Sequence, residues 1–142
     1  MGRVIDRRAD RRPAAPTLAP PVARRVVVVD ADHRVRHSLA GLLAAEGRLE
    51  VVGQAGDAGE ALRCCEALAP DVVLVDPRLP DVDAGTALLA VLRRRIPGVR
   101  LLVRGTPQGD GPGSAGGLAD GILPATLEPD ELVARVSAVA EG

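Results

Sequence analysis

Two runs of four aliphatic residues constrain this chain more than any other feature. They are Val26-Val27-Val28-Val29 and Val72-Val73-Leu74-Val75, and each is followed at once by an aspartate, Asp30 and Asp76. A run that is apolar on both faces suits a strand covered on both sides, as in a parallel sheet between helices. Segments of helical periodicity separate such runs. Apolar residues recur at Val35, Leu39, Leu42, Leu43 and Ala44 between Val35 and Glu46, with Gly47 as the stop. A second helix is predicted over Ala58 to Leu68, with Ala61, Leu62, Cys65, Leu68 and Ala69 on one face and Pro70 ending it. A third covers residues 84–96, with Leu88, Leu89, Leu92 and Ile96 inward and Arg93, Arg94 and Arg95 on a solvated face. A last one, Glu128 to Ala140, carries Leu132, Val133, Val136 and Val139 as its stripe. Shorter strands are expected at Leu49 to Val52, Val99 to Val103 and Gly121 to Pro124.

The alternation breaks once. Of the thirteen residues from Gly105 to Gly117, six are glycine and two are proline. An interior glycine costs about 1 kcal/mol of helix propensity and a proline about 3. A long flexible loop, with at most a turn near Leu118, is therefore expected where a fourth helix would stand. The fold class that follows is α/β: a five-stranded parallel sheet, doubly wound, in one domain over residues 25–142. Residues 1–24 read as a disordered leader rich in arginine and in Pro13, Pro16, Pro20 and Pro21.

Absences narrow the chemistry. The chain has no Phe, Tyr or Trp, so its core is aliphatic and it lacks stacking platforms for single-stranded nucleic acid. It has no lysine either, which excludes a Schiff-base or P-loop lysine. The net charge of −1 gives no overall attraction for nucleic acid or anionic membrane, and no apolar run is long enough to span a bilayer. No G-x-G-x-x-G follows the first strand and no G-x-S-x-G is present, so no enzyme is expected. Cys64 and Cys65 are adjacent, and successive helical residues diverge by about 100°, so they form no ordinary bridge. Cys65 falls on the core face with Cys64 beside it, and a reducing, cytoplasmic location fits.

Ligands of open α/β sheets bind beyond the carboxyl ends of the strands. That places Asp30 and Asp76 at one end, with Asp32 on the loop after the first strand. Clustered carboxylates attract a hard cation such as Mg²⁺ or share a proton, and an aspartate can accept a phosphoryl group. Equally, strand-end acids can cap the helices that follow. His33 and His37 stand four apart at a helix start, without a third ligand in view, and read as solvated.

The stretches V-V-V-V-D-A-D-H-R-V-R-H-S-L, E-V-V-G-Q-A-G-D-A-G-E-A-L and P-D-V-V-L-V-D-P-R-L-P-D-V-D-A-G resemble a response-regulator receiver domain of two-component systems. The resemblance runs from about Arg25 to Ala140 and is greatest to receivers that precede a helix-turn-helix output domain. It implies that Asp76 is the phosphoacceptor, that Mg²⁺ sits on Asp30 and Asp76, and that a histidine kinase is the donor. It also implies readout through the fourth helix, fifth strand and fifth helix. Pro80 matches the proline of the loop after the phosphoacceptor, and Asp83-Ala84 the usual Asp-Gly turn.

The site departs from that pattern repeatedly. Ala31 stands where the family has a second consecutive acid, and Asp32 comes one position late. Gly105 replaces the hydroxyl residue at the end of the fourth strand, with Thr106 next door. Ala125 replaces the conserved-pattern lysine and Ile122 the switch aromatic. Nothing in the sequence directs Arg104 into the site. A charge-assisted hydrogen bond contributes roughly 1.5–3 kcal/mol. Losing the lysine, the hydroxyl and a metal carboxylate together should leave Mg²⁺ and phosphoryl affinity weak. The expectation is a receiver without an output domain in this chain, binding a signalling partner independently of phosphorylation. The alternative is a genuine acceptor that uses Asp30, Asp32 and Asp76.

Overall fold

The computed structural model describes residues 23–45, 47–76, 78–79, 81–105 and 115–141. The arginine- and proline-rich leader up to residue 22, Pro80, Thr106 and most of the glycine-rich loop lie outside the described residues.

Five strands alternate with helices: β1 (Arg24–Val29), α1 (His33–Ala44), β2 (Leu49–Ala55), α2 (Ala58–Leu68), β3 (Val72–Val75), α3 (Val82–Arg95), β4 (Arg100–Arg104), α4 (Ala115–Leu118), β5 (Gly121–Leu123) and α5 (Pro129–Glu141). The strands form one sheet in the order β2-β1-β3-β4-β5, and all pairings are parallel. Two layers cover it. Val27, Val29, Val73, Val75, Leu101 and Val103 pack under α2 and α3, through Ala61, Cys65, Leu88, Leu89 and Leu92. Val26, Val28, Leu74 and Leu102 pack under α1 and α5, through Leu39, Leu43, Leu132 and Val136. The aliphatic runs are buried on both faces because successive side chains point into opposite layers.

The differences from sequence expectation have physical causes. β2 runs on to Ala55, past Val52, because its backbone stays paired with β1 through Gly53 and Gln54 despite their poor strand propensity. The register slips between Val26 and Val27, so Val51 and Gly53 pair while Val52 does not. Leu42 is 37% exposed, off the core face of α1, where Ala40 is buried instead. The helical stretch that survives before β5 is one turn, and it includes Ala115 to Gly117, which the sequence assigns to the loop. Arg93 holds this turn, donating from Nε (3.0 Å) and Nη2 (2.7 Å) to the Leu118 carbonyl oxygen and from Nη2 to Asp120 Oδ2 at 2.7 Å. The solvated arginine face of α3 is thus also a tie to β4, since Asp120 Oδ2 accepts the Leu101 amide as well.

Candidate functional site

Register builds the site. Val29 pairs with Val75 and Val75 with Val103, so the next residues, Asp30, Asp76 and Arg104, stand level at the carboxyl ends of three adjacent strands. The backbone continues the pairing there: the Asp30 amide donates to the Ala55 carbonyl at 3.0 Å and the Asp76 amide to the Val29 carbonyl at 2.9 Å.

Asp30 is 3% exposed and is the one buried charged residue among the described residues. Its Oδ1 accepts the Asp32 amide at 2.8 Å, and its Oδ2 lies 3.7 Å from Arg104 Nη1. Arg36 on α1 donates to the Asp30 carbonyl oxygen at 2.9 Å and approaches His33 Nδ1 at the same distance. Burial pushes the Asp30 carboxyl above its ordinary range; the Asp32 amide opposes this, the Asp76 charge adds to it, and Arg104 opposes it. Asp76 keeps 13% of its side chain exposed; its Oδ1 accepts the Arg78 amide at 3.1 Å and lies 3.5 Å from Arg78 Nε.

The third acid points elsewhere. Asp32 is the N-cap of α1, where its Oδ1 accepts the amides of Arg34 (2.9 Å) and Val35 (3.3 Å). This is the ordinary use of an aspartate at a helix start. Ala31 lies exposed in the bend between them. No set of three or more acid, histidine or cysteine side chains able to hold a metal ion occurs among the described residues. His33 and His37 stack with centroids 5.6 Å apart on the exposed face of α1. Asp30 is turned to an arginine and an amide, Asp32 caps a helix, and the intervening position is alanine.

Gly105 adopts φ +104°, in the left-handed region, and its amide donates to the Leu123 carbonyl at 2.8 Å. A β-branched hydroxyl residue would be strained in that backbone. Ala125 is exposed after β5, and Ile122 on that edge strand is 43% exposed. Beside it, Leu102, Gly121, Leu123, Ala138 and Val139 line a cleft of about 340 Å³ between β5 and α5.

Arg104, which nothing in the sequence directs into the site, turns inward to Asp30. Its position carries a partial signal: β4 reads as an apolar run closed by an arginine, as β1 and β3 read as apolar runs closed by aspartates, but the common level of the three strand ends comes from register.

The chain belongs to the response regulator receiver domain family, whose sequence model matches residues 26–136. It is a receiver domain of two-component signalling. It is 42% identical over 79 residues to the DNA-binding transcriptional activator DevR/DosR of Mycobacterium tuberculosis, covering 56% of this chain and 36% of that protein. It is 41% identical over 68 residues to a protein-glutamate methylesterase/protein-glutamine glutaminase of Myxococcus xanthus, covering 48% of this chain and 19% of that protein. The chain spans only about a fifth to a third of the length of the curated relatives it matches. Among solved structures, it resembles the signal receiver domain of the response regulator NarL from Mycobacterium tuberculosis. The TM-score is 0.72 at 31% identity, over 86% of this chain and 99% of that one. A LuxR-family two-component response regulator from Aurantimonas gives a TM-score of 0.73 at 28% identity, over 84% of this chain and 86% of that one. No helix among the described residues is long and apolar enough to cross a membrane.

Proposed function

We propose that this receiver works as a phosphorylation-independent binding module for a signalling protein, a histidine kinase or a regulator, in a two-component system of the cytoplasm. One observation carries the reading: the carboxylates at the strand ends are engaged by groups of the chain itself. Asp30 meets the Asp32 amide and Arg104, Asp32 caps α1, and Asp76 meets Arg78. An incoming phosphoryl group brings about two negative charges to the site. It would meet neither a lysine nor the hydroxyl of a residue at position 105. Two further features support a contact function without catalysis: the exposed Ile122 and the apolar cleft beside it lie on the face that the family resemblance assigns to readout.

A second reading keeps Asp76 as a true acceptor, favoured by its partial exposure at the end of β3 and by the cationic Arg78 beside it. Incubation with acetyl phosphate and Mg²⁺, followed by intact-mass measurement, separates the two. The proposed function expects no phosphoryl increment and amide NMR spectra unchanged by beryllofluoride. An increment on the native chain that vanishes in Asp76→Asn overturns it in favour of the acceptor.

A further inference from the structure

We infer that Arg104 is a built-in counter-cation for the strand-end carboxylates, holding the place at Asp30 that a divalent ion would otherwise take. The geometry carries this. Three adjacent parallel strands deliver Asp30, Asp76 and Arg104 to one level, and the Arg104 guanidinium lies 3.7 Å from the Asp30 carboxylate. The two side chains are 24% and 4% exposed, so the attraction acts away from bulk water, where screening is weaker. Gly105 follows at once: its left-handed φ turns the chain straight after β4, and among the described residues no atom beyond its chain neighbours lies within 4 Å of where its Cβ would stand. Arg36 reaches Asp30 at its main-chain oxygen and His33 at Nδ1, and Arg78 serves Asp76. Arg104 is therefore the cation that faces the Asp30 carboxylate oxygens among the described residues.

A guanidinium stays charged at every pH a protein experiences and is tethered, so it cannot be removed by a chelator. The consequence is a receiver whose acid pocket has one setting. A conventional metal pocket gains and loses its cation with solution conditions; this one carries the cation in the chain. Arg104 also repels a divalent ion approaching Asp30, so metal exclusion and charge neutralisation come from the same side chain. The inference concerns the cation at Asp30 and stands independently of which partner the module binds.

The test is an Mg²⁺ titration of the full chain, read by amide NMR shifts and by thermal unfolding followed by circular dichroism. The native chain should show no saturable shift at Asp30 or Asp76 and a midpoint indifferent to Mg²⁺. Arg104→Ala should be destabilised without metal. It should also gain saturable shifts at both aspartates, with Mg²⁺ binding tighter by at least on the order of tenfold. Arg104→Gln, which keeps most of the side-chain bulk, should do the same, and it serves if the alanine variant does not fold. In an Asp30→Asn background the Arg104→Ala effect should disappear. Saturable Mg²⁺ binding by the native chain at an affinity equal to the variants' overturns the inference, as do variants that stay blind to Mg²⁺. Neither result depends on phosphorylation of Asp76, so the proposed function and this inference fail separately.

Discussion

Along β3, Val72 to Val75 pass between two apolar layers and are 1% exposed or less. One residue further, Asp76 keeps 13% of its side chain open and leans on Arg78, while Asp30 on the next strand is sealed at 4% against Arg104. The interior is held by burial of aliphatic area, which is non-directional and tolerant of the exact side chain. The rim is held by paired charges whose value depends on each partner being present. The family fold therefore forms with no aromatic residue at all, whereas the rim depends on individual side chains.

The largest effect should separate the two regions. Leu89, fully buried under the sheet, should cost about 2–5 kcal/mol when truncated to alanine, measured by urea unfolding with circular dichroism. A loss below about 1 kcal/mol would mean the α3 layer is loosely packed.

Thiol chemistry sharpens the picture of the same layer. Burial pushes the Cys65 thiol up to about 12, and burial raises Cys64 as well, though less. At pH 8 the thiolate of Cys65 should be roughly a thousandfold scarcer than that of an ordinary cysteine. Iodoacetamide should then label Cys64 first and Cys65 only on unfolding; equal labelling rates by mass spectrometry would contradict the packing of α2.

At the rim, Asp30→Asn reports on charge. Because burial raises the Asp30 carboxyl, the folded chain holds that proton more tightly than the unfolded one. The associated stability is full below the ordinary carboxylate range and is lost as pH rises through the raised value. The variant should melt above the native chain at pH 7, and its advantage should vanish below about pH 4, where both side chains are neutral. A variant less stable than the native chain at pH 7 would show that the Arg104 attraction outweighs the cost of burial.

The smallest effect lies at the end of α2. Ala69 sits at φ +46°, a left-handed conformation that closes the helix through its amide on the Cys65 carbonyl. Ala69→Gly should stabilise by up to about 1 kcal/mol, read from the same unfolding curves, since glycine adopts that conformation without the side-chain clash.

Legibility followed the same division. The strand runs at Val26 to Val29 and Val72 to Val75, the bounds of α2, and the stripes Leu88, Leu89, Leu92 and Leu132, Val136 could be read directly, because periodicity reports burial. The extension of β2 through Gly53, Gln54 and Ala55 could not, since those residues form strand only by pairing with β1. Asp32 was legible as a helix cap or as a member of the acid cluster, and only its hydrogen bonds to Arg34 and Val35 distinguish the two.

By itself the sequence determined the alternation of buried strand and amphipathic helix, the two aspartates at strand ends, and the absence of lysine and of a hydroxyl at position 105. Those are local properties: period, composition and residue identity. Only the tertiary structure decided that Asp30, Asp76 and Arg104 share one level, that Arg104 faces Asp30, and that Arg93 ties the single turn of α4. Each of these depends on register between strands or on contact between helices far apart in the chain. A charged side chain near a strand end has several solvated alternatives, and only the packed sheet chooses among them.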